Sequence, residues 1–339
     1  MLARIAQELF WLGRDVARAE HTARMLDGVF HADVAGFRGD GGIALSWDAV
    51  LAIIGAKPPA PAIAATDAAA AGSDADAEAP VISPPTGMPR RRAEVVELLT
   101  IDTDSPASIV SCVARARERG NTLRDVISTE MWEALNTFHL GLLGGDMSVA
   151  LNAGPYAAYK EVKERCALFW GLVDRTMLRD DSHSFLEAGG RIDAADMVLR
   201  MLRVAVPSEP VGSGSEAEAI ALLHAVGGLQ AYRRAVRYPP TVGPVARFLL
   251  YDSSYPGSVA ASVEALHAAL QAGDAQPRSS PPVLRLGRLI ADFEFQRRTP
   301  DGGGPLGEGL ERVQDELERV DRDIDERFFA PAAVAAVHL

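Results

Sequence analysis

The chain of 339 residues is long enough to bury a large core, and its 48% hydrophobic and 24% charged residues exclude a disordered or fibrous chain. A net charge of −12 argues against unspecific attraction to nucleic acid or to an anionic membrane surface. No apolar run approaches the roughly 20 residues that span a bilayer, and Glu8 and Arg14 interrupt the stretch a signal peptide would keep apolar, so a soluble cytoplasmic protein is expected.

Taken in chain order, the first helix is the clearest. Leu2, Ile5, Leu9, Leu12, Val16, Ala19, Ala23 and Leu26 recur at spacings of three and four and predict a helix over residues 1–30. Arg4 with Glu8, and Glu20 with Arg24, stand at i,i+4 on it, where ion pairs form. Gly13 interrupts it, which predicts that a second helix passes close by. A short helix around 47–54 follows. Residues 57–90 are rich in proline, alanine and small polar residues, and read as a flexible insert whose removal should leave the core intact. It divides the chain into 1–56, the insert, and 91–339, the first and last parts belonging to one bundle.

Beyond the insert a helix is expected at 91–100. The next is capped by Asp104 or Ser105, with Pro106 at its first position and Gly120 as a kink or split. Tyr159, Val162, Cys166, Phe169, Val173 and Met177 mark a long helix, and residues 187–204 another. Further helices are predicted at 218–236, 245–251, 258–270, 283–293 and 308–328. No segment alternates with period two, so the fold class is all-α, a multi-helix bundle. Cys112 and Cys166, the only cysteines, fall on apolar stripes and read as core residues, in keeping with a reducing cytosol.

Two of these helices are copies. GRDVARAEHTARML from Gly13 and GGRIDAADMVLRML from Gly189 align without gaps. Val16 meets Ile192, Glu20 meets Asp196, Arg24 meets Arg200, and Met25-Leu26 meet Met201-Leu202. The bundle is therefore pseudo-symmetric, with helices 1–30 and 187–204 expected to meet near its middle. At this point the chain resembles the alpha-E family, α-helical bacterial proteins named for a Glu-Arg motif. The likeness is carried by LARIAQELFWLGR, SPASIVSCVARARERGNTLRDVISTEMWEALN, TMLRDDSHSFLEAGGRIDAADMVLRML, AYRRAV, FLLYDSSYPGSV and LGRLIADFEF, in that order. It implies association with ATP-grasp ligases of circularly permuted type and with transglutaminase-like proteins, in systems that make or trim short peptides or amide-linked tags. Where the Glu-Arg pair would stand, this chain has Ala17-Arg18 in one copy and Asp193-Ala194 in the other. Either the subunit has kept the fold without the chemistry, or Arg18 and Asp193 meet across the repeats and rebuild one pair.

Arg14, Arg18, Glu20, Arg24, Asp193, Asp196 and Arg200 form the first candidate site, an anion or substrate clamp; a salt-bridge ladder that fixes helix register would use the same residues. Glu130, Trp132, Glu133 and Asn136, with Arg179 and Asp180, form a second polar candidate. There the carboxylates could move protons, Trp132 could instead be an interior anchor whose indole donates to a carboxylate, and Asp180 could simply cap a helix. His183 is a candidate base. Nothing matches HExxH or paired Glu-x-x-His, so no metal and no cofactor is expected. Three functions follow: a helical accessory subunit that binds an ATP-grasp ligase, a free-standing enzyme using the Arg/carboxylate cluster, or a homo-oligomeric structural protein. A deep pocket lined by both repeats would favour the enzyme.

Overall fold

A computed structural model describes residues 2–34, 45–56, 90–144, 147, 151, 154–206, 216–299 and 306–330. Among them are thirteen α-helices and no strand. They are α1 Ala3–Val34, α2 Trp47–Ile54, α3 Arg90–Thr100, α4 Ile109–Thr122, α5 Thr129–Leu143, α6 Pro155–Thr176 and α7 Asp181–Ala205. There follow α8 Glu216–Ala225, α9 Leu229–Ala235, α10 Val242–Tyr251, α11 Val259–Gly273, α12 Pro281–Arg298 and α13 Leu306–Ile324, the last running into a π-turn, Asp325–Phe329. No helix among the described residues is long and apolar enough to cross a membrane.

The two repeated helices form the axis of the bundle. Among the described residues α1 and α7 share the most extensive interface; α4, α6 and α8 pack on α1, and α11, α13 and α2 on α7. α7 buries residues on nearly every side, Phe185, Leu186, Ile192, Ala195, Val198 and Leu202 among them, so it has little amphipathic contrast. That is the pattern of a helix enclosed by others. α13 is the opposite case: Leu310, Val313, Leu317, Val320 and Ile324 are buried while charged residues cover its other face. Gly13 and Gly189 hold α1 and α7 together. A Cβ on Gly13 would lie 2.1 Å from the Leu186 carbonyl oxygen, and one on Gly189 would lie 1.8 Å from that of Phe10. Phe10 and Leu186 each stand three residues before the glycine of their own repeat, so the two contacts are one contact seen twice about a pseudo-twofold axis.

Several boundaries differ from the sequence reading. Ser108, not Asp104 or Ser105, caps α4, its hydroxyl accepting from the Ser111 N–H at 3.1 Å, and Pro106 lies in the turn before it. Gly120 stays inside α4, which ends at Thr122. α7 starts six residues early because Asp180 accepts from the Ser182 and His183 N–H groups. The helix expected over 218–236 is two, α8 and α9, because Gly227 takes a left-handed conformation (φ 71°). Glu8 does not pair with Arg4 but with Arg119 of α4 at 2.7 Å. Cys112 and Cys166 are buried, and loss of hydration pushes the Cys112 thiol up to about 12. Of the predicted insert, residues 57–89 lie outside the described residues, and Arg90 opens α3.

Candidate functional site

Arg14 and Arg18 stand one turn apart on α1 and reach the same carboxylate. Arg18 Nη2 donates to Asp193 Oδ1 of α7 at 2.5 Å, and Arg14 Nε lies 3.6 Å from that oxygen. Arg14 Nη1 donates to Asp321 Oδ1 of α13 at 2.7 Å, and its guanidinium lies 4.7 Å from the centre of the Trp11 ring. Asp193 is fully buried, and the side chains of Arg14 and Arg18 are 10% and 31% exposed. The carboxylate raises the Arg18 pKa above its already high value, outweighing the opposing effect of burial. So the two repeats do rebuild one acid–arginine pair, with Asp321 neutralising the extra arginine.

The neighbouring charges are also paired. Asp15 accepts from Arg115 Nε at 2.9 Å and Arg119 Nε at 3.2 Å, and Arg119 goes on to Glu8. Burial raises the Asp15 pKa against the pull of those two arginines. Four carboxylates (Glu8, Asp15, Asp193, Asp321) thus meet four guanidiniums (Arg14, Arg18, Arg115, Arg119) on one side of α1. Such a network locks helix register; breaking it costs far more than its net worth, because a lone buried charge remains.

Glu20 and Arg24 lie on the other side of α1. Arg24 donates to Glu20 Oε1 through Nε at 2.9 Å and Nη2 at 2.7 Å, and both residues line a cleft of about 420 Å³ between α1, α6 and α7. Its far wall is the α8–α9 turn and the turn before α11. Tyr255 donates its hydroxyl to the Val226 carbonyl at 2.6 Å, joining the two, and a Cβ on Gly227 would come 3.0 Å from Arg24 Nη1. From α7 the cleft receives Glu187, Arg191 and His183. Arg179 Nη1 lies 2.8 Å from His183 Nε2, which must therefore accept, leaving the ring proton on Nδ1, 3.8 Å from Glu187 Oε2.

Burial lowers the pKa of His183, and it also lowers those of His139, His224 and His267. Below their ordinary value near 6.5 the unfolded chain binds protons that the folded chain refuses. Stability should therefore fall as pH drops from 6.5, levelling off below the folded-state values. Urea midpoints taken between pH 7.5 and 5.5 check this, and His183→Asn, which keeps an acceptor for Arg179, should flatten the slope.

Asp196 and Arg200 stand apart from both places. They pair with each other at 2.8 Å, and Gln314 of α13 donates to Asp196 at 2.8 Å. The seven-residue clamp expected from the sequence is therefore three separate arrangements: a buried ion pair, a cleft wall, and a contact with α13. The second candidate is divided as well. Glu130 and Glu133 are exposed on α5, Asn136 accepts from Arg117 Nε at 3.0 Å, and Arg179 binds Asp174 and His183. The Trp132 ring packs beneath Arg124 (4.9 Å) and Arg117 (5.6 Å), not against a carboxylate. Among the described residues no three metal-ligating side chains converge. Asp321, Trp170 and Tyr255 were not anticipated as site residues; the segment FLLYDSSYPGSV contained the last of them.

The model of one family, described as a predicted alpha-helical domain with a conserved ER motif, matches residues 1–329. The chain belongs to the Alpha-E family. No curated protein and no solved structure is a match. In this Alpha-E chain the positions at which the sequence resemblance sets the motif are Ala17-Arg18 and Asp193-Ala194. The retained halves, Arg18 and Asp193, form the buried pair, and the alanines, Ala17 and Ala194, both line the cleft.

Proposed function

We propose that this Alpha-E protein is a helical accessory subunit of a peptide or amide ligation system, docking an ATP-grasp ligase and contributing binding rather than bond making. The observation that supports this reading is the state of the repeated charges. Arg14, Arg18 and Asp193 are spent on joining α1, α7 and α13, and both thiols are enclosed in the apolar core. A network of that kind stabilises a shape and carries no group poised to attack. The Alpha-E context points to a ligase, with a transglutaminase-like protein as a further member of the system. Co-expression with a circularly permuted ATP-grasp ligase from the same genome should give one species on gel filtration, and added protein should change the ligase's ATP turnover. Separate elution with unchanged turnover overturns the reading.

One observation favours a second reading, a free-standing enzyme acting on a small anionic or peptide substrate. Both repeated helices line the cleft, and they place Glu20, Arg24, Glu187 and His183 in it. That reading expects amide turnover by the protein alone, abolished by Glu187→Gln; catalysis seen only with the ligase present rejects it.

A further inference from the structure

The pseudo-twofold axis makes the cleft interpretable. It relates Arg18 to Ala194, Asp193 to Ala17 and Arg14 to Gly190, as it relates Gly13 to Gly189. On one side of the α1–α7 contact these positions hold two guanidiniums and a carboxylate in close contact. On the other side Ala17, Gly190 and Ala194 all line open space of about 420 Å³. The same backbone crossing is thus filled by an ion pair on one face and truncated to two methyl groups and a hydrogen on its twin. A volume of this size matches small-ligand pockets.

The walls say what would enter. A Cβ on Gly190 would lie 2.4 Å from Cη2 of Trp170, so the indole covers the glycine and presents an aromatic surface at the place equivalent to Arg14. Cations are attracted to such a surface. Acid and base stand side by side on each helix: Glu20 with Arg24 on α1, and Glu187 with Arg191 on α7, the latter bonds longer at 3.1 and 3.3 Å. Arg191 is 40% exposed, and a carboxylate on a ligand can compete for it.

We infer that the cleft binds a small dipolar ligand of the amino-acid or short-peptide class, its cationic group against Trp170 and the Glu20 and Glu187 carboxylates, its carboxylate on Arg24 and Arg191. The ligand supplies in trans the charges that Ala17 and Ala194 lack. This binding requires no ligase, so it stands or falls separately from the accessory-subunit reading.

The test is calorimetric titration of the full chain with glycyl-arginine, with agmatine, which lacks the carboxylate, and with N-acetylglycine, which lacks the cation. Glycyl-arginine should bind saturably, and each compound carrying charge of one sign only should bind at least about tenfold more weakly. Ala17→Asp with Ala194→Arg copies the filled face into the cleft and should abolish binding while leaving the helical circular dichroism intact. Should that double variant not fold, Arg191→Gln, which alters a half-exposed side chain, should weaken glycyl-arginine about tenfold. No saturable binding of glycyl-arginine, equal binding of agmatine, or undiminished binding by a folded variant overturns the inference. Gel filtration with the ligase is expected to be the same for wild type and variants.

Discussion

Asp193→Ala should cost about 3–5 kcal/mol of folding stability, the loss typical of breaking a buried ion pair from one side. The Asp193 side chain is fully buried, with Arg18 Nη2 at 2.5 Å and Arg14 Nε at 3.6 Å. Without it, two guanidiniums one turn apart on α1 stand side by side against α7, and only Arg14 retains an anion, Asp321 at 2.7 Å. The reverse change, Arg18→Ala, should cost less. Its side chain is 31% exposed, so water already screens part of the interaction, and Arg14 is placed to close on the freed oxygen. Replacing both, Arg18→Met with Asp193→Leu, should recover much of the loss, because the desolvation penalty disappears with the charges. Urea unfolding of wild type, Arg18→Met, Asp193→Leu and the double variant measures the coupling as a double-mutant cycle, with Asp193→Ala and Arg18→Ala run beside it. An Asp193→Ala protein as stable as wild type would mean that the repeat charges do not hold α1 to α7.

The sequence carried the helices more plainly than the site, and for physical reasons. The apolar stripe of α1 and the matched glycines of the two repeats are local or self-similar patterns, and the close approach at Gly13 and the meeting of Arg18 with Asp193 follow from them. The grouping of Arg18 with Glu20 was avoidable. Each helical residue turns about 100°, so these two side chains point to nearly opposite sides of α1, one to the ion pair and one to the cleft. The double glycine at 227–228 was likewise a readable break, since the apolar pattern alone runs through it. Other partners left no such trace. Asp321 lies some three hundred residues from Arg14, Arg119 displaces the expected local partner of Glu8, and Arg115 lies a hundred residues from its partner Asp15. Long-range pairing of this kind is decided by packing, which spacing within one segment does not encode. Trp132 shows the same limit: its ring met arginines from α4 and the turn after it, where only the carboxylates beside it in sequence were visible.

Gly189→Ala should destabilise the protein by about 3 kcal/mol or more, at the upper end of overpacking costs, and Gly13→Ala should do nearly the same. In a helix this exchange ordinarily gains up to about 1 kcal/mol. Gly171 of α6 supplies the control: it is exposed, nothing lies within 4 Å of its would-be Cβ, and Gly171→Ala should be neutral or stabilising. At Gly189 the new methyl would sit 1.8 Å from the Phe10 carbonyl oxygen and 2.6 Å from its carbon, both backbone atoms that no rotamer change can move. Relief requires α1 and α7 to separate by more than an ångström, along an interface that also holds Leu9, Leu12, Leu186 and Ile192. The separation also pulls Arg18 from Asp193, because the ion pair lies beside the glycine contact. Loss of the glycine should therefore already include part of the loss of the carboxylate, and Gly189→Ala combined with Asp193→Ala should cost less than the two added. Thermal melts and urea curves of the single and double variants read both effects. Full additivity would mean that the glycine contact and the ion pair act independently, and a Gly189→Ala protein melting at or above wild type would remove the close approach on which the pseudo-twofold argument stands.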